Sequence, residues 1–343
     1  MLKSAFLGCG PRAKAHARAY EFVKKGKPVA ACDLDQERLA AFCDEFGIAN
    51  RYTDVHEMLD KEKPGLLHIV TAPTLRVPLM TIASEHEVPV ALVEKPVAVQ
   101  GEDWKELAVL EHKTKTRFLI NTQLHYHARN LELKRDVSDG KIGDIRFIDV
   151  SARSTILDQG VHVLELAHSY NGYSKPVRVF GSVSGAETIP THQPSPDTAQ
   201  AAIEFENGVR AQMVTGYYAP KSNPVERIYH HKRIAVYGTK GFVHWTMVGW
   251  ERFTQGGGYE SGEHDYGVED DLAQGVLTDS AFEVCSDPSI QHGTRLELSL
   301  AQFNIILGAY MSALDRRPID LPCDPADGLL ESLTQALKQK EST

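Results

Sequence analysis

A short glycine turn near the amino terminus constrains the fold of this 343-residue chain more than any other feature. Gly8-Cys9-Gly10-Pro11-Arg12-Ala13 follows an apolar run at residues 4–7 and opens a stretch in which Ala13, His16, Ala17, Tyr20 and Val23 recur at helical spacing. Strand, GxGxxA turn and helix in that order make a dinucleotide-binding pattern. The glycines let backbone approach a pyrophosphate, and the free N–H groups at the helix start face it. Pro11 suits the first helical position, because the N–H it lacks would have no intrahelical partner there. Asp33 ends the next apolar run, near the ~20-residue offset at which an acidic residue accepts from ribose hydroxyls. A carboxylate there repels a 2′-phosphate and Asp35 adds to it, so NAD is expected rather than NADP. Arg12, beside the loop, is a candidate phosphate contact.

The rhythm of the chain changes about a third of the way along. Apolar runs at residues 66–70, 88–93 and 118–120 alternate with helical stretches at 36–46, 75–85 and 104–112, the signature of βαβ units and a parallel sheet. From about residue 142, strands follow one another through tight turns. Ala201, Ile203 and Phe205 alternate with Ala202, Glu204 and Glu206, and Asn207-Gly208 is a two-residue hairpin turn. A second hairpin is expected at Thr239-Lys240-Gly241, with helices near 161–171, 269–284, 295–315 and 325–338. The reading is therefore an α/β protein: a doubly wound Rossmann domain over 1–121, then a substrate-binding and oligomerisation α/β domain with a mainly antiparallel sheet over 122–343.

Charge and composition exclude several classes of function. Lys and Arg total 37 against 46 Asp and Glu, a net charge of −9, which offers nothing to a nucleic acid or an anionic membrane. No uncharged apolar stretch reaches the ~20 residues of a bilayer span. The five cysteines lack the spacing of metal ligands, no metal is expected, and the thiols read as reduced. Met1 leads directly into a short apolar stretch and a glycine turn without a longer apolar leader, so a soluble, cytoplasmic protein is expected.

Two constellations carry candidate chemistry. Glu94-Lys95-Pro96 closes the run at 88–93, at the carboxyl edge of a parallel sheet, where ligands bind in this architecture. Lys95 can there hold a substrate hydroxyl or pass a proton. Asp158-Gln159-Gly160-Val161-His162 stands where the chain enters a helix. With Asp158 at or near the cap, the i, i+4 spacing brings carboxylate and imidazole to one face, a proton acceptor for a hydroxyl losing hydride. In His125-Tyr126-His127 a strand would turn both imidazoles to one side, where they are expected to line the substrate site rather than bind metal. His230-His231 beside Lys232 and Arg233 reads as a solvated turn.

Together these residues resemble the Gfo/Idh/MocA family of oxidoreductases, named for glucose-fructose oxidoreductase, inositol dehydrogenase and rhizopine catabolism. The resemblance rests on Gly8 to Ala13, on Glu94-Lys95-Pro96 and on Asp158 to His162. Thr71-Ala72-Pro73, Gly140-Lys141-Ile142-Gly143, Tyr237-Gly238-Thr239-Lys240-Gly241 and Arg317-Pro318 extend it over nearly the whole chain. It implies a large open sheet in the second domain and a catalytic set of Lys95, Asp158 and His162. In that set His162 is the general acid/base and Lys95 orients the hydroxyl. Thr71, Ala72, Pro73, Glu94 and Lys95 join the cofactor site, and Lys95, His125, His127, Asp158 and His162 the substrate site. The implied reaction is hydride exchange between nicotinamide and a secondary alcohol of a sugar, amino sugar, cyclitol or related polyol, in a homodimer or homotetramer built through the open sheet.

The sequence departs from the family pattern at several points. No glycine pair precedes Asp158, Glu165 stands where aspartate is frequent, Val77 where histidine often follows the Thr-Pro motif, and His125-Tyr126-His127 where an arginine-containing segment is common. The particular substrate is left open by these changes. Two other readings use the same residues: a redox-neutral glycoside hydrolase or lyase that retains its NAD, and a non-catalytic NAD-binding sensor or assembly subunit.

Overall fold

The apolar runs of the first third pair into one parallel sheet. Its strands are Leu2–Leu7 (β1), Gly26–Cys32 (β2), Asn50–Tyr52 (β3), Leu66–Ile69 (β4), Val90–Glu94 (β5) and Arg117–Asn121 (β6), in the order β3-β2-β1-β4-β5-β6. The intervening helices are Pro11–Arg18 (α1), Gln36–Phe46 (α2), Val55–Glu62 (α3), Arg76–Glu85 (α4) and Gly101–Lys113 (α5). Residues 1–341 are described in this computed structural model, and the chain divides into two compact units. Strand β5 is buried throughout, which is why Val90 to Val93 form an unbroken apolar run rather than an alternating one. The strand order reverses between β1 and β4, and a doubly wound sheet opens its ligand crevice at the carboxyl ends there.

Helix ends are set by local chemistry. The Asp35 side chain accepts from the N–H of Arg38 to start α2, and Gly47 ends it in the left-handed conformation at φ 66. One core gathers Phe6, Ala13, Ala17, Leu39, Phe42 and Ile48. A second is completed by residues from far along the chain: Leu277, Ala281 and Phe282 of the helix Tyr266–Ser286 (α8) pack with Leu66, Val90, Leu92 and Leu119.

The sequence division at Asn121 is linear, and the packing is not. The first unit takes in Met1–Ala98, Lys105–Tyr126 and Gly267–Ser299. The N–H of Ile120 donates to the carbonyl of Thr294 at 2.8 Å, and the Phe282 ring lies 2.0 Å from where a Cβ on Gly26 would stand. The returning segment buries apolar residues of β4, β5 and β6 that the local crossover helices leave uncovered. The strand expected at His125-Tyr126-His127 is absent. Gln123–Tyr126 forms a 3₁₀ turn, closed by His125 N–H donating to Thr122 O at 3.0 Å, and His127 caps the helix Ala128–Ser138 (α6).

The second unit is built on a nine-stranded sheet. Ile145–Ala152 (β7), Pro176–Ser184 (β8), Thr198–Phe205 (β9), Arg210–Gly216 (β10), Lys232–Gly238 (β11), Phe242–Thr246 (β12), Gly249–Thr254 (β13), Gly258–Glu263 (β14) and Ile319–Asp320 (β15) lie in the order β14-β13-β12-β11-β7-β10-β9-β8-β15. Strands β7 and β10 run parallel and the other neighbours antiparallel, a mixed and mostly antiparallel sheet. Both expected hairpins form: Gly208 takes φ +86 between β9 and β10, and Ala201, Ile203, Ala211 and Met213 all fall on the buried face. The helices Val161–Tyr170 (α7), Leu296–Asp315 (α9) and Leu329–Glu341 (α10) complete the chain. Among the described residues no helix is long and apolar enough to cross a membrane.

The contact of β8 with α9 is tight. Gly181 N–H donates to Ser312 Oγ at 2.9 Å, and a Cβ on Gly181 would stand 2.4 Å from the carbonyl oxygen of Ala309. Since the obstacle is backbone, Gly181→Ala is expected to destabilise by about 2–3 kcal/mol. Scanning calorimetry would show it as a midpoint several degrees lower; an unchanged midpoint would mean that α9 moves aside freely.

Candidate active site and dinucleotide cleft

At the carboxyl ends of β1 and β4 lies a cleft of about 540 Å³. Gly8, Gly10, Pro11, Arg12, Asp33, Thr71 and Ala72, all assigned to the cofactor from sequence, line it together with Arg38. Its two glycines answer different needs. Gly8 sits at φ +94, and a Cβ there would fall 2.3 Å from the carbonyl oxygen of Val70, so only glycine allows β1 and β4 to end side by side. A Cβ on Gly10 would meet nothing within 4 Å; the bare backbone opens onto the cleft. Gly10 caps α1 without any side-chain bond and Pro11 follows, leaving the first N–H groups of the helix for an anion. Ala13 is fully buried against the core, and Pro73 is buried at the head of a short turn after β4. An open backbone edge, a helix start and an acid at one cleft fit a dinucleotide.

Asp33 is held in its charged form. Burial alone would raise its carboxyl, but donors from Arg38, Asp35 and Cys9 outweigh that and keep it below the usual value. Cys9 N–H and Arg38 Nε donate to Oδ2 at 2.8 and 2.9 Å, and Asp35 N–H and Arg38 Nη2 donate to Oδ1 at 2.9 and 2.6 Å. Each oxygen thus carries two donors, about the capacity of a carboxylate. For Asp33 to accept from ribose hydroxyls, the half-exposed Arg38 is the partner that must give way. Sequence reasoning passed over Arg38, although its i+5 position, in the first turn of the helix after the acid, was the available signal.

Glu94, the last residue of β5, is buried, and its Oε1 accepts from Arg12 Nε at 2.7 Å, His16 Nε2 at 2.9 Å and Asn121 Nδ2 at 2.8 Å. Burial pushes its carboxyl up, but the charge of Arg12, the bond from His16 and the charge of Lys95 prevail and hold it well below the usual range. Arg12 therefore meets a carboxylate while lining the cleft. Lys95 follows at the strand end, half-buried. Arg76, 1% exposed, ties this edge to the end of β4 by donating to Thr71 O and Thr71 Oγ1, both at 3.1 Å.

In the second unit, Asp158 lies in a wide turn, Ile156–Gly160, ahead of α7. Thr155 caps this turn, its hydroxyl accepting from Asp158 N–H at 3.3 Å, while α7 starts at Gly160 without a side-chain cap, so Asp158 stands near the cap but does not serve as it. The spacing to His162 accordingly crosses this turn and is not one regular helical turn. Gly160 is needed for close approach, since a Cβ there would meet Thr215 Cγ2 at 2.9 Å. The Asp158 carboxylate accepts from Ser154 Oγ at 2.7 Å and from Gln159 Nε2 at 3.0 Å. His162 is 4% exposed in the first turn of α7.

Gln159 leads to a residue the sequence reading misplaced. Lys232 is not in a solvated turn: it is 3% exposed, and its Nζ donates to Gln159 Oε1 at 2.8 Å and to Tyr229 O at 2.5 Å. Neighbouring His231 is fully buried. The strand period was the missed signal, because Lys232 shares alternation with buried Ile234 and Val236 on β11. A buried ammonium is thereby joined through one amide to Asp158.

His125 and His127 do not share a strand face. His125 packs on Tyr126, ring centroids 4.7 Å apart, while His127 is fully buried 4.8 Å from the His264 ring and 5.4 Å from Trp245. Burial, with help from His264, pushes His127 down to about 3, so it is a neutral packing group. Among the described residues no group of three or more His, Cys, Asp or Glu stands together as a metal site.

The two glycines separate folding from binding in one experiment. Gly10→Ala is expected to fold with an unchanged thermal midpoint and to lose NAD affinity by about tenfold or more, because the methyl would stand in the open space beside the backbone that a diphosphate approaches. Gly8→Ala, strained and overlapping Val70, is expected to lower the midpoint itself. Equal NAD affinity in Gly10→Ala and the parent, by calorimetric titration, would remove the loop from the cofactor site.

Comparison with known proteins agrees with this architecture. The model of an oxidoreductase family with an NAD-binding Rossmann fold matches residues 2–122, and that of the GFO/IDH/MocA C-terminal domain matches residues 152–244. The chain is 24% identical over 256 residues to a D-apiose dehydrogenase of Paraburkholderia graminis, covering 70% of this chain and 66% of that one. A D-apiose dehydrogenase of Rhizobium rhizogenes is also 24% identical, over 238 residues, covering 63% and 66%. The chain thus spans 66% of the length of each of these relatives. In fold it is similar to an oxidoreductase from Agrobacterium radiobacter solved with NAD+, L-tartaric acid and magnesium, with a TM-score of 0.80, 21% identity, and 93% and 98% of the two chains covered. It is also similar to levoglucosan dehydrogenase solved with NADH and levoglucosan, with a TM-score of 0.79, 17% identity, and 94% and 100% covered. The chain belongs to the Gfo/Idh/MocA oxidoreductase family, with its NAD-binding Rossmann fold.

Proposed function

We propose that this protein is an NAD-dependent dehydrogenase acting on a secondary alcohol of a sugar, amino sugar, cyclitol or related polyol. The observation that carries the reading is the cleft at the ends of β1 and β4, where the open Gly10 edge and the ionised Asp33 stand together. Relatives named for apiose and levoglucosan support the substrate class. A bound nicotinamide supplies the hydride acceptor. His162 takes the hydroxyl proton as the carbinol carbon loses hydride, and Lys95 holds the hydroxyl oxygen and steadies its developing charge. Asp158, braced by Ser154 and Gln159, orients the acid/base pair. Register places Phe147, Tyr237, Phe242, Phe253 and Tyr259 across one face of the open sheet, which supports assembly into a homodimer or homotetramer there.

A panel of sugars, cyclitols and their glycosides, assayed with NAD, tests the proposal. Net NADH formation on at least one is expected, and His162→Ala should lower that turnover by about a hundredfold or more. Glycoside cleavage with no net NADH would point to the redox-neutral NAD-retaining hydrolase or lyase, and binding without turnover to the sensor. An unchanged rate in His162→Ala would remove its role.

Cofactor preference has its own measurement. Asp33 and Asp35 oppose a 2′-phosphate while Arg38 would welcome one, and the bidentate bond to Asp33 leaves the acid dominant. NAD is expected to bind at least about tenfold tighter than NADP, a difference of ~1.4 kcal/mol. The reverse preference would identify Arg38, not Asp33, as the group that meets the 2′ position.

A further inference from the structure

The first unit carries a string of buried polar side chains that its apolar core does not require and that the family resemblance leaves without a role. Ser4 on β1, His16 on α1 and His68 on β4 are all fully buried, and Tyr20 follows α1. Ser4 Oγ lies 2.5 Å from Tyr20 OH, Tyr20 OH 2.8 Å from His68 Nε2, His68 Nδ1 3.2 Å from His16 Nδ1, and His16 Nε2 2.9 Å from Glu94 Oε1.

The direction of each bond follows from the one at the end. An ionised carboxylate only accepts, so His16 Nε2 carries the proton it shares with Glu94. A neutral His16 then has a lone pair on Nδ1, and His68 must donate from its own Nδ1. That leaves His68 Nε2 an acceptor for the Tyr20 hydroxyl, whose oxygen in turn accepts from Ser4. Neutrality follows from the charges around the string. Arg12 already balances Glu94, Lys95 stands next in sequence, and Asp270 is the further carboxylate that His16 feels. Burial lowers His16 against the pull of Glu94, and burial together with the neighbouring His16 holds His68 well below the usual value.

We propose that Ser4, Tyr20, His68 and His16 form a hydrogen-bonded relay with a single donor direction ending on Glu94, and that His16 and His68 are positioning residues for the dinucleotide cleft. The relay stops the carboxylate from turning; the carboxylate holds the Arg12 guanidinium at the cleft wall and anchors the strand end from which Lys95 projects. This role rests on the reading of that cleft as the NAD site.

Nitrogen NMR of the imidazoles in the full chain at pH 7 tests the direction: protonated Nδ1 on His68 and protonated Nε2 alone on His16 are expected. Protonated Nε2 on His68, or an imidazolium at His16, would mean that the string runs the other way and would overturn the relay. NAD titration without substrate tests the positioning role. His16→Gln keeps one donor and one acceptor and is expected to bind within about threefold of the parent, whereas His16→Leu keeps neither and should bind about tenfold or more weakly. Equal affinity of the two variants overturns the role. Should His16→Leu fail to fold, His68→Phe, which preserves the stack on Phe6 at 4.5 Å, takes its place with the same tenfold loss expected. If the parent itself does not bind NAD, the cofactor reading and the positioning role fall together, while the tautomers still decide whether the relay exists.

Discussion

A buried carboxylate must be met from every side, and in the first unit that requirement falls on Glu94. Taking an ion out of water is so costly that removing one partner of a buried pair typically destabilises by about 3–5 kcal/mol. Here Arg12, His16 and Asn121 converge on a single oxygen, and Asn121 is itself locked by a reciprocal pair of bonds with Gln274 at 3.1 and 2.9 Å. One anion thereby joins the first helix, two strand ends and the returning helix α8. The cleft meets that junction at the start of α1, where Arg12 lines the wall while donating to Glu94.

The second unit solves a related problem with a cation. Lys232 is buried at the start of β11, and Gln159 accepts from it and donates to Asp158. The amide can face only one way under those constraints, so the lysine sets the orientation of a side chain two bonds removed. In the D-x-G-x-H segment, Gln159 and Gly160 hold the turn against β11 and β10, between the proposed acid/base residues Asp158 and His162. The absent glycine pair before Asp158 has a local counterpart in Ser154, which takes φ 78 and bonds the carboxylate directly.

Much of the fold was legible because it rests on local periodicity. The apolar runs, the GxGxxA turn and the Asn207-Gly208 hairpin depend on neighbours within a few residues, and each formed as expected. Most of the residues assigned to the cofactor from sequence line one cleft for the same reason, being fixed by strand ends and turns. The misreadings share another cause. Only a strand would bring His125 and His127 to one face, but β6 ends at Asn121, where the side chain is drawn into the Glu94 junction. Lys232 was placed in solvent although its alternation with Ile234 and Val236 turns it inward, where Gln159 and the Tyr229 carbonyl accept from it.

What the sequence by itself determined is the two-part α/β plan, the dinucleotide loop, and the types of residue available for acid/base chemistry, all of which follow from short-range pattern and side-chain chemistry. Tertiary structure alone decided that residues 267–299 return to the first unit and that Ser4, Tyr20, His68 and His16 run in file to Glu94. Those contacts join residues far apart in the chain, and whether a buried polar group has a partner is settled by which distant elements pack over it. No window of sequence contains that information, because desolvation is a property of the assembled core.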